Sequence, residues 1–328
     1  FYDGRKGFIM ARYILKRLLW MIPIVLGVAV IVFTLMSFCP GDPAAIILGS
    51  SATEADLEAM REELGLNHSY LVRLGTFLSD TFIHFDLGKS WITQTSISAA
   101  IAERLPRTMM LTIATLGLSI LIGIPLGIMA AINQGKWKDN FCMGFALLGV
   151  SIPDFWLALL LIILFSVKLG WLPAMGIGGV KYYILPALAG CMGGIATLAR
   201  QTRSSMLDVI RADYITTARA KGVPEFRVIT GHALKNAMIP IITIIGTHFG
   251  KMLGGAMVIE TIFSIPGMGS YIVTGVNSRD YPVVQVAAIF LAIVFSICML
   301  GVDLIYAAVD PRIKAQYGRK KRKVKAND

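Results

Sequence analysis

Charge is scarce in this sequence. Asp, Glu, Lys and Arg make up 16% of its 328 residues, where a soluble domain carries roughly a quarter. Apolar residues take their place, at 55% of the chain with a mean hydropathy of +0.68. So much apolar chain does not fit one aqueous core, and its natural solvent is lipid. Cysteine is also sparse. Cys39, Cys142, Cys191 and Cys298 are scattered, each in or beside an apolar run, with no CxxC and no His/Cys cluster. That excludes a metal finger or a disulfide framework and leaves them as small buried hydrophobes. A Gly-x-x-x-x-Gly-Lys-Ser/Thr loop is missing too, so no phosphate-binding loop of that kind is expected in this chain. Acids are outnumbered, giving a net charge of +11. In a soluble protein that excess would point to nucleic acid. In a membrane protein it sets orientation, and no nucleic-acid partner is expected.

Six apolar segments stand out, at about 18–38, 109–132, 141–169, 184–199, 237–259 and 283–309. At about 1.5 Å per residue the first is just long enough to cross a hydrocarbon layer of about 30 Å. Pro125 lies inside the second and Pro153 near the start of the third. The fourth is short, but its Gly190-xxx-Gly194 spacing allows close helix approach. The same spacing recurs at Gly123/Gly127 and at Gly246, Gly250 and Gly254.

Lys and Arg orient the chain. The segments 1–17, 133–140, 200–235 and 310–328 hold 22 of the 31. The loop 40–104 holds only Arg61, Arg73, Lys89 and Arg104 against nine acids. This asymmetry, with an even number of spans, predicts cytoplasmic N- and C-termini. The expected fold is all-α, a polytopic membrane protein with about six transmembrane helices. Residues 1–9 precede Met10 and read as leader or appended sequence. Residues 10–39 form the first span, 40–104 an extracytoplasmic loop, and 105–310 the core, with a cytoplasmic loop at about 200–235. Residues 311–328 form a basic tail held near anionic lipid. In the extracytoplasmic loop Thr53 can cap a short helix with Leu57, Met60 and Leu64 on one stripe.

The loop after the fourth span carries the most information. Asp213 can cap a helix running to about Lys221, which Gly222 ends with Pro224 just beyond. The small-surfaced centre, Thr217-Ala218-Arg219-Ala220, suits a groove on a partner. An ordinary connecting loop is the alternative.

Asp213-Tyr-Ile-Thr-Thr-Ala-Arg-Ala-Lys-Gly222, followed by His232-Ala-Leu-Lys-Asn-Ala-Met-Ile-Pro240, resembles the signature loop of binding-protein-dependent ABC importer permeases. It is closest to their dipeptide, oligopeptide and nickel branch. The resemblance covers Met10 to Ile313. It includes Gly41-Asp-Pro43, Ser151-Ile-Pro153, Glu260-Thr-Ile-Phe-Ser-Ile-Pro-Gly-Met-Gly269, Arg279-Asp-Tyr-Pro282 and Asp310-Pro-Arg312. One departure is Thr216, where the wider family has glutamate.

The resemblance implies a type I ABC importer permease in a bacterial inner membrane, itself not an enzyme. It implies a coupling site made of Asp213, Tyr214, Thr217, Ala218, Arg219, Ala220 and Gly222, docking on a cytoplasmic ATPase. ATP and Mg would be bound by one or two ATPase subunits. A second, different permease would complete the channel, and an extracytoplasmic binding protein would deliver substrate.

The fifth segment carries Thr247, His248 and Lys251 at spacings of three and four, on one helical face. These are the candidate translocation-path residues, since polar groups in a span face a cavity or a neighbouring helix. Nickel permeases resemble the chain in Gly246-Thr-His248 and Trp171-Leu-Pro-Ala-Met-Gly176. Lys251 would repel a divalent metal and suits a peptide carboxylate. Import of short peptides is therefore the leading expectation, and nickel or a metal chelate is the alternative. A third reading is structural, with His248 bonding to a helix and Lys251 snorkelling. Asp303 is an intramembrane acid near the cytoplasmic end of the last span.

Two rivals come from other classes. An intramembrane enzyme would need a nucleophile and base at membrane depth, and Ser151 beside Asp154 is the nearest candidate. An ion-driven secondary transporter would show inverted repeats, and none is visible.

Overall fold

The computed structural model describes residues 3–49 and 51–309. Among them the chain is helical, with one isolated antiparallel bridge between Lys89 and Ser96. The basic tail and Asp310-Pro-Arg312 lie outside the described residues, as do residues 1 and 2.

The long apolar runs become long helices. α1 (Asp3–Phe38) is apolar enough to span over Ile14–Phe38, with Pro23 inside it. A proline is tolerated there because neighbouring helices satisfy the freed carbonyl. The loop 40–104 folds as α2 (Pro43–Leu48), α3 (Glu54–Glu63) and α4 (Tyr70–Phe82). Thr53 caps α3 as its sequence indicated. Its hydroxyl accepts from the Asp56 amide while Asp56 accepts from the Thr53 amide. The Thr53 hydroxyl also donates to the Asp56 carboxylate at 2.6 Å, and this bond, with that of the Thr53 amide, holds the carboxyl below the ordinary aspartate range.

α5 (Ile97–Ile132) reaches one span length and twelve residues beyond the expected start at 109. The third apolar segment is not one straight helix. α6 (Trp137–Ser151) and α7 (Asp154–Leu161), which continues as a π-helix (Ile162–Lys168), meet at 94° across Ile152 and Pro153. The fourth is also broken, as α8 (Lys181–Gly190) and α9 (Met192–Ile210) at 54°. α10 (Asp213–Ala220) and one-turn α11 (Glu225–Arg227) lead through a second π-turn (Val228–Ala233) into α12 (Leu234–Ile262). α13 (Met268–Asn277) precedes α14 (Tyr281–Val309). Among the described residues four helices are long and apolar enough to cross a membrane, or six if each bent pair counts as one span.

Glycine sets the tightest packing. A Cβ on Gly123 would lie 2.9 Å from the Ile195 carbonyl, and one on Gly127 would lie 2.5 Å from Cβ of Thr202. α5 and α9 therefore approach backbone to backbone. In α12, Gly246 packs on Val302 and Gly250 on Phe295 of α14, while Gly254 meets nothing. Trp20, Leu35, Leu121, Phe141 and Leu148 remain exposed. A surface of that kind suits lipid or another subunit rather than water.

Three of the family-like motifs gather at the pole carrying the acidic loop. Asp42 caps α2 through the Ala44 amide and pairs with Arg61 at 2.7 Å. Arg279 packs against Gly41. Asp280 accepts from the Ser90 hydroxyl at 2.5 Å and the Trp91 amide at 3.1 Å. Glu260 is fully buried and accepts from the Thr108 hydroxyl and, at 2.8 Å, from the Ser270 amide. Gly267 has no room for a Cβ beside that carboxylate. These contacts account for glycine and acid at the quoted positions: each acid holds a loop that has no ladder of its own.

Candidate coupling and translocation sites

The opposite, basic pole carries α10. It begins at Asp213, with Ala212 as the extended residue before it and no side-chain cap. Asp213 thus sits in the first turn, where a carboxylate still favours the helix N-terminus. Gly222 closes the segment at φ +77°, and its amide reaches the Arg219 carbonyl at 2.9 Å. A residue with a side chain is strained in that left-handed conformation.

One side chain of α10 is fully buried. Ile215 sits among Met206, Val228, Ala233 and Ala237. Around it, Asn236 donates to the Tyr214 hydroxyl at 3.1 Å, and Arg219 makes a forked pair with Glu225 at 3.1 and 2.7 Å. That carboxylate raises the Arg219 pKa above its ordinary value. Asp213, Tyr214, Thr217, Arg219, Ala220 and Gly222 are exposed, whereas Ala218 is turned partly inward. The expected coupling residues therefore form one outward surface, except Ala218. Thr216 is exposed among them.

A pair missed from sequence braces this pole. Asp139 is 3% exposed, and Arg203 holds its two oxygens at 2.6 and 2.7 Å while Gly135 donates at 3.0 Å. The partners are 64 residues apart, so no local spacing signals them. Asp303 likewise finds a partner, Arg17 of α1, at 2.9 Å.

Between the poles lies a cavity of about 150 Å³. Its lining includes Thr112 and Thr115 of α5, Asp154 of α7, and His248 and Lys251 of α12. His248 packs close to Gly194 and Ser119. Its Nε2 and the Thr112 hydroxyl are buried without hydrogen-bond partners. Of the three polar residues expected on one face, the structure brings His248 and Lys251 to the cavity. Thr247 is exposed outside that lining, and its hydroxyl donates to the Ile244 carbonyl at 3.0 Å. At 100° per residue, 247 and 248 point a quarter-turn apart, and the cavity lies on the side of 248. Ser151 donates to the Leu147 carbonyl at 3.0 Å. Among the described residues no three His, Cys, Asp or Glu side chains converge as a metal site would need.

An α-helical bundle with broken spans, a mostly apolar cavity carrying Asp154, His248 and Lys251, and a short exposed helix at one pole is the build of a membrane transport protein. Comparison with known proteins sharpens that class. The family described as binding-protein-dependent transport system inner membrane component matches residues 123–315, and the N-terminal region of the same family matches residues 10–112. The chain belongs to this family, and is a multi-pass inner membrane permease of the ABC importers.

It is 44% identical over 313 residues to a provisionally named peptide transport system permease protein of Brucella abortus (strain 2308), covering 93% of this chain and 99% of that one. It is 41% identical over 305 residues to the glutathione transport system permease protein GsiC of Salmonella typhimurium, with the same coverage. Among solved structures, the inward facing MetNI methionine ABC transporter matches with a TM-score of 0.56 at 16% identity, over 64% of this chain and 96% of that chain. That likeness concerns the fold alone.

Proposed function

We propose that this permease carries short peptides, delivered by an extracytoplasmic binding protein, through a channel shared with a second permease. The observation that carries the reading is the similarity, along 93% of the chain, to permeases named for peptide and for glutathione transport. Cytoplasmic ATPase subunits bind ATP and Mg and engage the outward surface of α10. Its eight residues are held by one buried anchor, Ile215, which suits an element that moves as a unit with the bundle. ATP drives transport because it binds one arrangement of the assembly better than the other. Both termini are cytoplasmic in this reading, which puts α10 on the ATPase side and the acidic loop on the side of the binding protein.

Lys251 and His248 line the path. Lys251 offers a carboxylate partner and stands against a divalent metal. The chain's expected dependence is direct: deleting it in its host removes ATP-dependent uptake of a labelled dipeptide, and restoring it returns the uptake. Dipeptide uptake that survives deletion, in a host with no other peptide importer, overturns the proposal.

A further inference from the structure

The break between α6 and α7 falls inside the third apolar segment, 141–169. α6 rises 15 residues to Ser151, or about 22 Å. Asp154, the residue that follows the break, and Lys251 of α12 line one cavity, so the break lies beside Lys251. The backbone leaves the helix at Ile152 and Pro153, with ψ of 121° and 135°. Non-helical backbone within a membrane survives only where it is buried or lines a cavity, and discontinuous helices mark binding positions in transporters.

The turn delivers Asp154, the first residue of α7, to the cavity that Lys251 and His248 line. Asp154 and Lys251 both keep solvent-accessible surface and make no ion pair within 4.0 Å of each other. Opposite charges share one cavity while each remains free to take a ligand group. Behind them Thr112 is 1% exposed and its hydroxyl is buried with no partner, while the His248 Nε2 is turned toward Gly194. A buried polar atom left unpaired is costly, so the Thr112 hydroxyl calls for a ligand that is itself polar between its ends.

We infer that this cavity is a station for a dipeptide with free termini, with Lys251 holding its carboxylate, Asp154 its ammonium group, and Thr112 its peptide link. The inference rests on the peptide reading above and deepens it. The cavity, about 150 Å³, equals in volume one that holds benzene, so a dipeptide of nine or more heavy atoms reaches beyond it at the exposed Asp154 and Lys251.

The test uses the complete importer in nanodiscs, without binding protein, and equilibrium dialysis of ¹⁴C-labelled Ala-Ala. Competitors are unlabelled Ala-Ala, Ala-Ala amide and N-acetyl-Ala-Ala. Each capped competitor is expected to bind at least about tenfold more weakly, the scale of one charge-assisted hydrogen bond. Lys251→Met removes the penalty on the amide, and Asp154→Asn removes the penalty on the acetylated peptide. Lys251→Arg and Asp154→Glu keep both penalties, and co-purification of the ATPase subunits reports assembly of each variant. Capped peptides that compete as well as Ala-Ala, undetectable Ala-Ala binding, or penalties unchanged in both neutral variants would overturn the inference. The peptide reading fails separately, if the wild-type importer with its binding protein shows no ATP-driven Ala-Ala uptake.

Discussion

Replacing Ile215 with alanine tests how α10 is held. The helix has 8 residues, well below the roughly 12–15 at which a helix persists alone. Its position therefore depends on contacts with the bundle. Ile215 is fully buried among Met206, Val228, Ala233 and Ala237, and truncating such a side chain costs about 2–5 kcal/mol. At a factor of ten per 1.4 kcal/mol, seating weakens by at least about tenfold. The Tyr214–Asn236 bond and the exposed Arg219–Glu225 pair offset little of that, since exposed ion pairs contribute about 1 kcal/mol or less. Ile215→Ala should let ATP hydrolysis continue while peptide uptake per ATP falls at least tenfold. Ile215→Val, at about 0.5–1.5 kcal/mol, should retain most of the coupling. The assay measures phosphate release and labelled-peptide uptake on the same proteoliposomes. A wild-type ratio in Ile215→Ala would refute the claim that this side chain seats the helix.

Three further outcomes are expected. Gly127→Leu should lower the thermal midpoint of the detergent-solubilised protein in size-exclusion assays, because Thr202 stands 2.5 Å from where its Cβ would be and overpacking costs about 1–3 kcal/mol or more; an unchanged midpoint contradicts the close approach of α5 and α9. Arg203→Met strands the Asp139 carboxylate, 3% exposed, at a cost of about 3–5 kcal/mol, and adding Asp139→Asn should recover much of the loss, so a double variant no more stable than the single one argues against the pair. Asp56 titrates below the ordinary aspartate value because Thr53 bonds its charged form; a lowered folded pKa stabilises α3 above the unfolded value, and that support is lost as pH falls through the folded one. Its carboxyl midpoint, followed by NMR, should rise in Thr53→Ala, and equal midpoints contradict the capping box.

The long spans were legible because a run of some twenty apolar residues has few alternatives to crossing a membrane. α1, α5, α12 and α14 follow those runs closely, apart from the early starts of α1 and α5. The breaks were not legible. Pro153 is visible in the sequence, but a bend of 94° is fixed by what α6 and α7 pack against. α4 was missed because Phe77, Leu78 and Phe82 find their partners at Val25, Ala29 and Ile289, far away in the chain. Arg203–Asp139 and Arg17–Asp303 were hidden for the same reason, at separations of 64 and 286 residues.

At the coupling loop, sequence located the helix and its glycine stop but put Asp213 one place early as a cap. At the cavity it found His248 and Lys251 and added Thr247, which lies outside the lining. Asp154 drew notice only as a neighbour of Ser151, since nothing in its spacing tells that the chain turns there and brings it to α12.

The most direct test of the central claim is uptake by the reconstituted importer with its binding protein, comparing a labelled short peptide with ⁶³Ni in the presence and absence of ATP. ATP-dependent entry of the peptide, with nickel left outside, is the predicted result. ATP-dependent entry of nickel without peptide would contradict the account and make His248 a transient metal ligand beside a lysine.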